Sequence, residues 1–221
     1  MRKIPFNKPD IDPHILDYLK PVFSSGKLSG DGPVCKDVEQ KLKNFFSIRH
    51  VLLTTSGSHA LEIAALLLNL KSGDEVLIPS FTFVSTANAV LRAGGCPVFC
   101  DINDETLTIV PEEISRRMTN KTRAVVAVHY AGIAADMDEI MQIAQGHHLH
   151  VIEDAAQGVH ARYKGKFLGS LGHCGAYSFH DTKNYTSGEG GAFVTNDDLL
   201  ARSAEIIREK GTNRANFLRD Q

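Results

Sequence analysis

Val151-Ile152-Glu153-Asp154, then Ala176-Tyr177-Ser178-Phe179-His180-Asp181-Thr182-Lys183, then Gly188-Glu189-Gly190-Gly191 form the stretch that decides how this chain folds. The run 150–154 is apolar and β-branched until it ends on two carboxylates, as a buried strand does when its tip reaches solvent. The run 176–179 reads as the next strand of the same sheet. Between Phe179 and Gly191 there is no amphipathic helical pattern, only a polar loop containing Gly and Ser. A parallel return needs a crossover, usually helical, so the strand at 191–195 is expected to run antiparallel to its predecessor. Outward from this stretch, β-rich runs at 50–54, 75–79, 97–101 and 123–129 alternate with helical patterns at 36–46, 58–70, 82–93, 111–118, 136–147 and 197–210. That alternation predicts an α/β fold: a mostly parallel seven-stranded sheet with one antiparallel strand and helices on both faces.

The N-terminal region breaks the pattern. Pro5, Pro9 and Pro13, then Gly26, Gly30 and Gly32, predict extended and looped chain around one short helix near 13–24. The segment from Ser25 to Pro33 fits a flexible active-site flank and an ordinary surface loop equally well.

A chain of 221 residues with 43% hydrophobic content is long enough for one α/β domain with a substantial core. Its formal net charge of -2 gives no electrostatic reason to expect nucleic acid or a membrane surface as a partner. The absence of Trp, with aromatics at 7%, also disfavours a base-stacking platform. Cys35, Cys96, Cys100 and Cys174 have no CxxC spacing and read as buried, reduced thiols, which suits the cytoplasm. Met1-Arg2-Lys3-Ile4-Pro5 lacks a signal-peptide apolar run, and the longest apolar stretch, 60–68, is too short to span a bilayer and carries Glu62. His147 and His148 are adjacent, with no carboxylate-histidine signature beside them, so no metal site is expected.

Ligands of open α/β sheets lie beyond the carboxyl ends of the strands. Ser56, Gly57 and Ser58 follow one such end and open a helix, where free backbone N–H groups suit a phosphate; Ser and Thr there are also ordinary caps. Phe81 follows another, where its ring fits either a planar ligand or the core. Asp154 ends a third, with Gln157 three residues beyond to donate from its amide, and Ser178 can add a phosphate contact while Phe179 packs inward. His129 ends a strand on the same side, and His180, three residues before Lys183, is placed to contact substrate. Alone, a strand-end aspartate and a surface lysine are common in any α/β domain. Together with these neighbours, Asp154 and Lys183 match the needs of pyridoxal phosphate: a lysine to form an imine with its aldehyde, and a carboxylate to keep its ring nitrogen protonated.

Five motifs occur in order: Ser-Gly-Ser-His-Ala-Leu (56–61), Gly-Asp-Glu-Val-Leu-Ile-Pro-Ser-Phe-Thr-Phe (73–83), Val-His-Tyr-Ala-Gly (128–132), Glu-Asp-Ala-Ala-Gln-Gly (153–158) and Ser-Phe-His-Asp-Thr-Lys-Asn (178–184). Jointly they resemble the DegT/DnrJ/EryC1/StrS sugar-nucleotide aminotransferases, from Ile4 to the C-terminus. The resemblance implies the fold type I (aspartate aminotransferase-like) large domain and pyridoxal 5'-phosphate as cofactor. It assigns Lys183 as the Schiff-base lysine, Asp154 as partner of the ring nitrogen and Gln157 to the phenolic oxygen. Phe81 is assigned to the ring face, and Gly57, Ser58 and Ser178 to phosphate. Relatives with histidine in place of the lysine are dehydratases, so Lys183 implies transamination. The implied substrates are L-glutamate and dTDP-4-dehydro-6-deoxy-D-glucose, aminated at C4, in a homodimer with shared active sites. Family members continue well beyond residue 221, so 1–221 reads as the cofactor-binding large domain with an N-terminal arm and without the small C-terminal domain. A cofactor-binding remnant, or an assembly partner of a full-length subunit, is the other expectation.

Overall fold

The computed structural model describes residues 3–5 and 7–213. The expectations attached to 214–221, and to Met1 and Arg2 of the N-terminal run, lie outside the described residues.

After an N-terminal helix α1 (Ile15–Ser25) come α2 (Pro33–Phe46), β1 (His50–Thr54), α3 (Gly57–Leu66), β2 (Glu75–Pro79), α4 (Val84–Arg92) and β3 (Cys96–Cys100). Then follow α5 (Pro111–Arg117), β4 (Thr122–Val128), α6 (Met137–His147), β5 (His150–Asp154), β6 (Arg162–Tyr163), β7 (Lys166–Phe167), β8 (Cys174–Ser178), β9 (Gly191–Thr195) and α7 (Asp198–Arg208). The seven long strands form one sheet in the order β1-β9-β8-β5-β4-β2-β3, while β6 and β7 pair in a separate small hairpin. Strand β9 is antiparallel to both β1 and β8, and the other pairings of the seven-stranded sheet are parallel. The expected topology is present.

Strand periodicity sends successive residues to opposite faces. Val76, Ile78, Val126 and Val128 face one layer with Ala60, Leu61 and Ala64 of α3, Val90 of α4 and Ala204 of α7. Leu77, Val125, Ala127 and Val151 face the other with Ile114 of α5 and Ile140 and Ala144 of α6. Beside that second layer, Val51, Tyr177, Ala192 and Val194 pack with Phe46 of α2 and with Phe167 and Leu168. Helix α1 carries Pro21 and has no buried residue.

The thiols differ from their expected burial. Cys100 and Cys174 are buried, but Cys96 is exposed and Cys35 half-buried; all four are free. Cys96 opens β3, the edge strand, where only one flank has a neighbour. Burial pushes Cys100 up to about 11 and Cys174 to about 12, so both stay protonated and inert at neutral pH. No helix among the described residues is long and apolar enough to cross a membrane.

Candidate active site

The tips of β1, β2, β4, β5 and β8 converge, with the start of antiparallel β9, at one end of the sheet. They enclose a cavity of about 610 Å³. Ser56, Gly57, Ser58, Asp154, Gln157, Ser178, His180 and Lys183 all line it, as do His129 and Glu189.

Its first wall is the N-terminus of α3. The Ser56 side chain accepts from the His59 N–H at 3.1 Å and so caps this helix, while the first backbone N–H groups keep the positive end of the helix dipole toward the cavity. The approach there is close. A Cβ on Gly57 would come within 2.8 Å of Ser178 Cβ, and one on Gly191 within 2.4–2.5 Å of the Ser56 and Gly57 backbone. Only glycine lets α3, β8 and β9 meet this tightly. Ser58 and Ser85 share a hydrogen bond between hydroxyls at 2.6 Å, and Ser85 opens α4, so a second helix start faces the same space.

Asp154 forms the floor at 5% exposure. Its Oδ2 accepts from the Thr86 hydroxyl at 2.8 Å and its Oδ1 from the Ala156 N–H at 3.2 Å. Burial pushes its carboxyl above the ordinary carboxylate range, against the pull of these two donors and of His129 and Lys183 nearby. A buried carboxylate short of compensation is a site for a cation. Lys183 lies across the cavity, its backbone N–H bonded to the His180 carbonyl at 2.9 Å. The Gln157 Oε1 accepts from the Ala131 N–H at 2.7 Å, which leaves the amide hydrogens free to donate. The His180 Nδ1 accepts from the Thr182 N–H at 3.2 Å, which keeps that ring near the lysine loop.

Phe81 is the correction. Phe83, not Phe81, lines the cavity. The Phe81 ring packs against Tyr130 with centroids 4.5 Å apart. Four residues separate the end of β2 from α4, and the chain turns within them, so no strand period fixes which aromatic faces the cavity.

Glu153, next to Asp154, points through the opposite face of the sheet. Wholly buried, it accepts from His129 Nε2 at 2.9 Å and from the N–H groups of Gly169, Leu171 and Gly172 at 2.7, 2.6 and 2.6 Å. The His129 Nδ1 in turn accepts from the Ala135 N–H at 3.2 Å. This acceptor role fixes the tautomer, with the proton on Nε2. Sequence reasoning missed Glu153, Thr86, Ser85 and Phe83. The available signals were the i, i+4 spacing of Thr82 and Thr86, and the rule that adjacent strand residues take opposite faces.

The profile of the DegT/DnrJ/EryC1/StrS aminotransferase family matches residues 9–220. A GDP-perosamine synthase of Caulobacter vibrioides is 36% identical over 203 residues, covering 92% of this chain and 55% of that protein. Among solved structures, DesI in the presence of its TDP-sugar product superposes with a TM-score of 0.87 at 32% identity, covering 93% of this chain and 52% of that one. NtdA from Bacillus subtilis with bound cofactor PMP gives a TM-score of 0.80 at 38% identity, covering 86% and 43%. The chain spans about half the length of the curated relatives it matches. Fold, motif order and sequence thus agree: this chain belongs to the DegT/DnrJ/EryC1/StrS aminotransferase family.

Proposed function

We propose that this chain is the cofactor-binding large domain of a pyridoxal phosphate-dependent sugar-nucleotide aminotransferase, with the N-terminal segment as an arm. The observation that carries the reading is one cavity lined by both Lys183 and the buried, donor-held Asp154, with a glycine-tight helix start beside them. These residues fit the cofactor's three chemical demands. Gly57, Ser58, Ser85 and Ser178 supply hydroxyls and backbone donors for a phosphate. Asp154 lacks a full cationic partner and suits a protonated ring nitrogen. The free amide hydrogens of Gln157 suit a phenolic oxygen, and Phe83 offers a ring face in place of Phe81.

When bound, pyridoxal phosphate supplies an electron-accepting ring to stabilise the charge left as the amino donor loses its Cα proton. The chain's own part is proton handling and positioning. The Lys183 Nζ, with no ion-pair partner among the described residues, takes and returns that proton. A lysine suits the task because a flexible amine can both accept and return a proton within reach of the donor's Cα. His180 stands at the substrate side of the lysine, with the exposed Glu189 near its Nε2.

L-Glutamate is the proposed donor. The proposed acceptor is dTDP-4-dehydro-6-deoxy-D-glucose, aminated at C4 to dTDP-4-amino-4,6-dideoxygalactose. Phe-His-Asp-Thr-Lys-Asn-Tyr-Thr (179–186) supports it, in its resemblance to the transaminase for that sugar in enterobacterial common antigen synthesis. The relatives' names include both GDP- and TDP-linked sugars. We place the enzyme in the cytoplasm, in keeping with its free thiols, and as a homodimer, in keeping with the exposure of Phe83 (68%) and Val84 (63%) at the cavity mouth.

The test is an absorbance spectrum of the chain with pyridoxal phosphate, before and after excess L-glutamate, beside Lys183→Ala. A visible band that needs Lys183 and is discharged by glutamate is the expected result. A band indifferent to glutamate identifies a cofactor-binding remnant or assembly partner. The absence of any Lys183-dependent band refutes cofactor binding by this chain.

A further inference from the structure

The donor on Asp154 Oδ2 is itself part of a chain. Thr86 is 1% exposed, so its hydroxyl has no water to bond. A threonine inside a helix commonly turns its hydroxyl back to a carbonyl one turn earlier. The Thr86 hydroxyl instead reaches across to Asp154 at 2.8 Å and touches the Thr82 hydroxyl at 2.8 Å. A hydroxyl has one proton. Since Thr86 gives its proton to the carboxylate, its oxygen must accept from Thr82, and the direction of the whole row is fixed.

Thr82 lines the cavity, and the Phe83 carbonyl accepts the Thr86 backbone N–H at 3.1 Å. One turn of chain therefore both presents the Phe83 ring and supplies the proton that Asp154 holds. With Ala156 on Oδ1 and Thr86 on Oδ2, each carboxylate oxygen has a fixed donor and retains acceptor capacity toward the cavity.

We infer that Thr82 and Thr86 form a directional hydroxyl relay that positions the Asp154 carboxylate toward the ring nitrogen of the bound cofactor and keeps that carboxylate ionised. The inference rests on the cofactor reading above. Thr86 is thus a positioning residue for the proton on the ring nitrogen. Without its hydroxyl, Asp154 is more basic and draws that proton from the ring to itself. The pull of Thr86 against the effect of burial on Asp154 has this direction.

The test uses the full chain with pyridoxal phosphate carrying ¹⁵N in the ring. Thr86→Val keeps the shape and removes the donor; Thr86→Ser keeps the donor; Thr82→Val removes the upstream proton. Thr86→Val is expected to weaken pyridoxal phosphate binding about tenfold, because a carboxyl made more basic by about one pH unit favours its protonated, ligand-free form by that factor. It also moves the ring-nitrogen resonance toward that of unprotonated pyridine. Thr86→Ser restores both, and Thr82→Val shifts the resonance the same way by less. A wild-type resonance and affinity in Thr86→Val, or a Thr86→Ser as impaired as Thr86→Val, overturns the relay. If Thr86→Val does not fold by circular dichroism, a wild-type resonance in Thr82→Val overturns it. Failure of the unmutated chain to bind pyridoxal phosphate through Lys183 removes the cofactor reading itself, and the relay with it.

Discussion

Replacing Glu153 by glutamine tests how much of the fold hangs on one buried carboxylate. Its Oε1 takes the Leu171 and Gly172 N–H groups; its Oε2 takes Gly169 N–H and His129 Nε2. An amide offers one oxygen and one NH₂ in their place. With NH₂ at the first position, Leu171 and Gly172 both lose their acceptor. With NH₂ at the second, Gly169 loses its acceptor, and His129 must either clash or change tautomer and orphan the Ala135 N–H. Either rotamer leaves at least two buried or half-buried donors unpaired, at about 1–3 kcal/mol each, or about 2–6 kcal/mol together. For a domain of this size that lowers Tm by about 5–20 °C. Thermal unfolding of ligand-free wild type and Glu153→Gln, followed by circular dichroism, measures it. A difference under about 3 °C refutes the argument, because it requires a relaxation that satisfies donors the structure leaves without acceptors.

Arg208 holds the buried Glu39 at 2.7 Å and Asp31 at 2.8 Å, and Arg208→Ala leaves Glu39 only Lys36 at 3.4 Å and the Leu53 N–H at 3.1 Å; urea unfolding should show a loss of about 1.5–3 kcal/mol, and a loss under about 0.5 kcal/mol contradicts it. Gly191→Ala drives a methyl into the Ser56–Gly57 backbone and should cost about 1–3 kcal/mol or more, together with pyridoxal phosphate affinity. Phe83→Leu should weaken pyridoxal phosphate binding more than Phe81→Leu in parallel titrations; the reverse order restores Phe81 to the ring face. Asp154 is raised above its unfolded value near 3.8, so the ligand-free fold favours its protonated form, and that contribution is lost as pH rises through the folded value. Ligand-free wild type should therefore lose stability relative to Asp154→Asn as pH is raised from about 4 toward neutrality; a trend of opposite sign in Tm excludes the raised value.

The sheet was legible because short apolar runs alternate with helical patterns along most of the chain, and the reversal of β9 followed from the missing crossover. The cavity residues were legible because they sit at strand tips. Contacts set by register were not. Nothing in the string Glu153-Asp154 says which carboxylate faces the cavity, since that depends on how β5 is phased against β4 and β8. Phe81 and Phe83 posed the same problem in a turn, where no period applies. The β6–β7 hairpin was missed because two-residue strands have no periodicity; its signal was Lys164-Gly165, both at positive φ of 47° and 85°. Cys96 was misjudged because an edge position is a property of strand order, which a local run does not show.

The reversal of β9 has a further consequence. It makes β8 and β9 the two legs of a hairpin whose tip is the Lys183 loop, so both ends of that loop are anchored at the same rim of the sheet. A helical crossover would have tied the lysine to the far edge of the molecule. The loop also reaches back to the chain after β5, through Asn184 Nδ2 to the Val159 carbonyl at 2.8 Å, while the legs pair with β5 and β1. Lys183 and Asp154 are thus carried by different pieces of one rim, the lysine on a hairpin tip and the carboxylate on the end of a central strand.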